Sequence, residues 1–166
     1  GSLGDAVRAY GVKLALEDLG YKSELIAYSD DLDGLRKIPE GLLPDKKTEK
    51  EWKDPVTGYL GKRVSEIPDP VNGCTHGSYG EHMSRLLLDG LDDLGIDYAH
   101  KTAHETYTNN LLKEQIHEIL VNSKKIGDKI EEMTGQEKFQ TILPYFPVCE
   151  KCDRLYTTES FEYIEE

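Results

Sequence analysis

Three short stretches of this sequence carry side chains able to do chemistry. Ser29-Asp30-Asp31-Leu32-Asp33-Gly34 places three carboxylates within four residues, directly after the apolar run Leu25-Ile26-Ala27-Tyr28. In open α/β sheets, ligands bind beyond the carboxyl ends of parallel strands. Carboxylates there could hold an ammonium group or Mg²⁺. The alternative is a solvated turn in which an Asp caps the next element. Cys149-Glu150-Lys151-Cys152 has the spacing of half a structural zinc site. The fourteen residues after it hold no further Cys or His. A redox pair would open a helix in a βαβ setting. This pair instead lies between Pro147 and an alternating β-like stretch. The third stretch, Cys74 to His82, holds a thiol and two imidazoles (His76, His82). It could be a nucleophile with its base, or a metal site. His82, in the first turn of a predicted helix near a pocket edge, is the residue of most interest. His100, His104 and His117 read as surface residues.

The elements that must position these groups can be read from periodicity. Leu3, Val7, Tyr10 and Leu14 recur at helical steps and predict a helix from Leu3 to Leu19, stopped at Gly20. The wholly apolar run 25–28 predicts a strand in a parallel sheet covered on both faces. Pro68-Asp69-Pro70 imposes an extended stretch. Ser78 and Glu81 form a capping box that opens a helix through Leu94, closed by Gly95. Ile96 to His100 predicts a second strand. Leu112, Ile116, Ile119, Ile126, Ile130 and Met133 predict one long helix over 111–133. The fold class is therefore α/β, with the sheet lacking an opening strand. Expected boundaries are a main domain over 1–143, with a surface excursion at 38–63, and a small β-rich appendage over 144–166.

The chain has 166 residues with a formal net charge of −12, enough for one core without disulfides. That balance excludes a generic basic nucleic-acid-binding domain. The one net-positive segment is 36–63, where eight Lys/Arg meet five Asp/Glu. No run of about 18 apolar residues predicts a membrane span. There is no signal-peptide pattern. An odd cysteine count of three argues against a disulfide framework and predicts a reducing, cytoplasmic setting.

Six strings then become familiar together. They are Gly4-Asp5-Ala6-Val7-Arg8, Ser29 to Lys37, Ile67-Pro68-Asp69-Pro70, Ser78-Tyr79-Gly80-Glu81-His82, Met133 to Glu137 and Pro147 to Cys152. In this order and spacing the chain resembles class I lysyl-tRNA synthetases, over nearly its whole length. The resemblance implies a partial Rossmann-like parallel sheet, of the HUP type of class I synthetases, with a small zinc-knuckle β appendage. It further implies an internal fragment of the catalytic domain. The ATP motif would end at Gly1-Ser2, which makes Ser2 the candidate for ATP contact. The second zinc half-site and the anticodon domain would lie in the remaining segments of the same polypeptide. The excursion at Lys46–Thr57 and the segment Cys74–Ser78 are longer than the usual family form.

The implied reaction is lysine–tRNA ligation. Lysine and Mg-bound ATP give lysyl-adenylate, and the lysyl group passes to tRNA(Lys). By similarity to the acidic string of glutamyl synthetases, Asp30 is the candidate contact for the substrate amine. Asp33 and Arg36 would brace the turn, and Tyr79 and His82 would stand beside the same pocket. Cys149 and Cys152 are the candidate zinc ligands. The isolated chain is expected to be inactive. The competing reading is a non-catalytic synthetase-like module that binds tRNA or a protein through the basic 36–63 segment. A small nucleotide-binding enzyme unrelated to tRNA is disfavoured, because the chain has no Gly-rich phosphate loop.

Overall fold

A computed structural model describes residues 2–38, 56–71 and 73–165. Most of the basic excursion, 39–55, lies outside the described residues. The architecture is α/β. In chain order it contains α1 (Leu3–Asp18), β1 (Ile26–Ser29), a 3-10 turn (Val64–Glu66), α2 (Tyr79–Asp93), β2 (Ala99–Thr102), α3 (Ala103–Thr108), α4 (Lys113–Val121), α5 (Ser123–Thr134) and a second 3-10 turn (Lys138–Gln140). β1 and β2 pair in parallel, with Ile26 opposite Ala99 and Ser29 opposite Thr102. Both strands thus end at the same edge, where the acidic turn begins.

α1 starts as the sequence dictates. The Ser2 hydroxyl accepts from the Asp5 N–H, and Asp5 reaches back to the Ser2 N–H, closing a capping box. The helix ends before Gly20, whose φ of +86° suits glycine. α2 opens on Ser78, whose Oγ accepts from the Glu81 N–H at 3.1 Å. The second half of the expected box is displaced by one residue: the Glu81 carboxylate accepts from Gly77 N–H at 2.7 Å.

The second strand starts three residues later than the sequence predicts. Gly95 and Ile96 close α2 instead, with the Ile96 N–H bonded to Leu91 and the Gly95 N–H to Asp92. This is a Schellman ending, whose hydrophobic residue is recruited to the core. The predicted long helix is also divided. At Asn122, which closes α4, the side-chain amide donates to the Glu118 carbonyl at 2.9 Å beside its own backbone N–H at 3.1 Å. α3 was not legible from apolar spacing. Its signal is Thr102-x-x-Glu105, where Thr102 Oγ1 accepts from the Glu105 N–H.

Two apolar clusters form among the described residues. Leu25, Ala27, Leu88, Leu91 and Ile96 pack between β1 and α2, with Ala6 and Tyr10 of α1 against them. Leu35, Val56, Ile67 and Tyr79 form the second, flanked by Tyr59, Leu60, Val64 and Met83. The surface reading of 38–63 is thus corrected at Val56, which is 2 % exposed and packs in this cluster, while Thr57 and Gly58 stay exposed. The expectation of a sheet covered on both faces is likewise corrected. Ala27 is buried, but Ile26 and Tyr28 on the opposite face are each 46 % exposed. Residues 144–165 contain no regular strand.

Candidate functional site

The acidic turn leaves β1 at the carboxyl edge and is zipped against the chain that precedes Ile67. Ser65 N–H donates to the Asp31 carbonyl at 2.9 Å and Val64 N–H to the Asp33 carbonyl at 3.0 Å. Leu35 N–H donates to Lys62, and Gly61 N–H to Leu35. Gly34 bridges Arg63 in antiparallel fashion. This ladder fixes the directions of the three carboxylates, and it gives them different tasks.

Asp31 Oδ1 accepts the His104 N–H at 2.8 Å, tying the turn to the start of α3. Asp33 Oδ1 accepts the Tyr156 hydroxyl at 2.5 Å and Arg36 Nη2 at 3.4 Å. The Asp30 carbonyl accepts the Asp33 N–H at 3.4 Å, while its carboxylate has no hydrogen-bond partner among the described residues and the residue is exposed. Partial desolvation, then the negative charges of Asp33 and Asp31, push its carboxyl above the ordinary value. A cation arriving at Asp30 relieves that repulsion. Beside the turn a cavity of about 370 Å³ is lined by polar groups including Asp31, Ser65, Glu81, Arg85, His100 and His104. Ser65 Oγ there is buried without a hydrogen-bond partner among the described residues.

A second cluster forms behind α2. Asp69 sits between two prolines, and its Oδ1 accepts the Val71 N–H at 2.9 Å. Its Oδ2 lies 3.2 Å from His76 Nδ1 and 3.0 Å from His82 Nδ1. The two imidazoles meet edge to face at 4.9 Å. With Cys74, the four donor atoms lie within 4.8 Å of one another. Donors around a single zinc at its usual bond lengths stand about 3.3–3.8 Å apart, so a small closure would suffice. Two imidazoles, a thiolate and a carboxylate suit a divalent transition metal. Burial raises the Asp69 pKa, but the Val71 N–H and the two histidines outweigh it, and the carboxyl ends below its ordinary value. Burial and then Asp69 push the Cys74 thiol up.

The two cysteines near the end form a tight knuckle. Asp153 N–H donates to the Cys149 carbonyl at 2.8 Å, and Cys149 N–H to Arg154 at 3.0 Å. Asp153 takes a φ of +54°, where a glycine is more usual. The N–H groups of Cys152 and Lys151, then the Cys152 side chain, lower the Cys149 thiol to about 7.

The structure thus keeps Asp30 at the strand edge and sends other candidates elsewhere. Tyr79 is buried in the second core. His82 joins Asp69, Cys74 and His76. Ser2 is engaged as the α1 cap. Asp69 is the member of this candidate metal-holding group that sequence reasoning missed. Its signal is Asp-x4-Cys-x-His-x5-His, an acid ahead of a thiol and two imidazoles.

Comparison with known proteins gives a consistent result. The family of tRNA synthetases class I (K) matches residues 1–166. A lysine–tRNA ligase of Cenarchaeum symbiosum is 58 % identical over 164 residues, covering 99 % of this chain and 29 % of that protein. One from Archaeoglobus fulgidus is 31 % identical over 165 residues, covering 99 % of this chain and 31 % of its own length. One from Rickettsia bellii is 31 % identical over 156 residues, covering 93 % and 28 %. This chain spans about three-tenths of the length of these curated relatives. With a match along its full length, the chain belongs to the class I (K) tRNA synthetase family.

Proposed function

We propose that this chain is part of the catalytic domain of a lysine–tRNA ligase, in which Asp30 receives an amino group of lysine. The observation that carries this reading is the partnerless Asp30 carboxylate at the carboxyl edge of two parallel strands, between two acids already committed to structure. The reaction would run in two steps. The lysine carboxylate attacks the α-phosphorus of ATP and pyrophosphate leaves. A ribose hydroxyl of tRNA(Lys) then attacks the activated carbonyl and AMP leaves. Asp30 contributes by orienting the amino acid through charge, so that its carboxylate meets the phosphate. Asp31 and Asp33 hold the turn that carries it. Ser2, at the start of α1, would stand where helical N–H groups favour phosphate. The sheet is read as part of a Rossmann-like domain over 1–143, with 144–166 as its knuckle appendage. A cytoplasmic place of action fits the three unpaired thiols.

Two metal readings accompany this. Asp69, Cys74, His76 and His82 would hold zinc as a closed, structural set, fastening the Pro68–Pro70 stretch to α2. Cys149 and Cys152 would supply half of a second site, completed by ligands outside this chain.

The test is lysine-dependent pyrophosphate exchange in the full-length protein. Asp30→Asn is expected to raise the KM for lysine by at least about tenfold, the scale of a lost charged hydrogen bond. The KM for ATP should hold. An unchanged lysine KM would remove Asp30 from the site. The isolated 166-residue chain is expected to show no exchange.

A further inference from the structure

The cysteine knuckle and the acidic turn are far apart in sequence, yet four consecutive residues after Cys152 grip the turn or its backing segment. Asp153 accepts from Lys62 Nζ at 3.2 Å and Arg63 Nη2 at 3.0 Å. Arg154 Nη2 donates to the Gly58 carbonyl at 3.0 Å. Leu155 N–H donates to the Gly61 carbonyl at 2.7 Å. Tyr156 donates its hydroxyl to Asp33, accepts from Arg36 Nη2 at 3.0 Å and lies under the Arg36 guanidinium at 4.8 Å. Phe146 holds the other side of that ring edge to face at 5.6 Å.

The turn is shaped to receive this contact. A Cβ on Gly34 would stand 2.8 Å from the Tyr156 ring, 3.2 Å from the Gly61 carbonyl and 3.3 Å from Leu155. Only glycine allows the approach. On the knuckle side, Asp153 and Tyr156 both adopt positive φ, at +54° and +64°. Unfavourable backbone at two non-glycine residues persists where surrounding contacts over-determine it.

The geometry points to a bracing function for the knuckle: folded around Cys149 and Cys152, it presents Asp153 and Tyr156 to the acidic turn and so positions Asp30 for its cationic ligand. Asp153 and Tyr156 are positioning residues, acting through Lys62, Arg63 and Asp33. This rests on the assignment of Asp30 above and adds what sets its place. It also gives the Cys149–Cys152 pair a consequence at the strand edge: whatever locks or loosens the knuckle is felt there.

Hydrogen exchange on this chain reads the brace without reference to substrate. Tyr156→Ala should speed exchange of the Leu35, Gly61 and Val64 amides by about tenfold, the scale of a hydrogen bond to a charged group. The Asp153 amide, bonded within the knuckle, should keep its rate. In the full-length protein, where the pair would have its remaining ligands, Cys149→Ser with Cys152→Ser should release both the knuckle and the turn. Tyr156→Phe keeps the ring on Gly34 but drops the hydroxyl, and should fall between. Unchanged rates at Leu35 and Val64 in Tyr156→Ala or in the cysteine variant overturn the proposal. So does a uniform rise that includes Ala27 and Leu88. In the full-length protein, Tyr156→Ala should raise the KM for lysine about tenfold with kcat and the KM for ATP held within about twofold; a fall in kcat at constant lysine KM also overturns it. If the wild-type protein activates no lysine, the proposed function fails while the exchange result still decides the brace.

Discussion

Asp30, Asp31 and Asp33 are the same residue type within four positions, yet their surroundings separate them. Asp31 anchors α3 and Asp33 binds Tyr156, whereas the Asp30 carboxylate has no hydrogen-bond partner among the described residues, which is why it is the one proposed to meet a ligand. Charge count alone could not make that division, because it depends on which N–H and O–H donors the fold delivers. The same holds for His82. Its sequence position in the first turn of α2 suggested the strand-edge pocket, but its ring is bonded to Asp69. The test at this scale is zinc binding. The metal-stripped chain should take up zinc tightly, and His76→Ala with His82→Ala should weaken that binding by at least about a hundredfold, since removing even one supporting partner of a ligand costs about 10–100-fold. Cys149→Ser with Cys152→Ser should leave this zinc in place. Loss of zinc from the cysteine variant alone would sink the four-residue assignment.

At the scale of elements, caps were the most readable feature. Gly20, Ser78 and Gly95 each begin or end a helix where the sequence placed them, whereas Ser2, expected at ATP, instead caps α1. The division of the long helix at Asn122 was less readable, because the apolar stripe runs through it without a break. The α1 cap makes a pH prediction. The Ser2 hydroxyl first, then Arg8 and the Ser2 N–H, hold the Asp5 carboxyl below its ordinary value. A group depressed in the folded state stabilises it above the unfolded pKa of about 4, and that contribution is lost as pH falls through the lowered folded value. The first turn of α1 should therefore stay protected down to about pH 4 and fray below it. NMR of the Asp5 and Ala6 amides across an acid titration checks this. Fraying already complete near about pH 6 would contradict it.

Across the whole molecule, two separate cores divide the labour. One packs β1 on α2; the other sits beneath the acidic turn and the start of α2. Ile67, with 0 % exposure, is the most enclosed side chain of the second. Ile67→Ala is expected to cost about 2–5 kcal/mol, from lost burial plus the cavity left behind. Urea unfolding monitored by fluorescence of the tyrosines around that core would measure it. A loss under about 1 kcal/mol would show that the second core contributes little.

The sequence by itself determined the α/β class, the helix caps, the strand that ends in an acidic turn and the family, because these depend on local spacing and on strings in fixed order. Tertiary structure decided which carboxylate has no hydrogen-bond partner among the described residues, that Val56 and Tyr79 are core, and that Asp69 joins Cys74, His76 and His82. It also brought Tyr156 onto Asp33, 123 residues away along the chain. The physical reason is common to all four. A partner's identity is set by where folding delivers a donor, a ring or a carboxylate, and contacts between distant residues leave no periodic trace in the sequence.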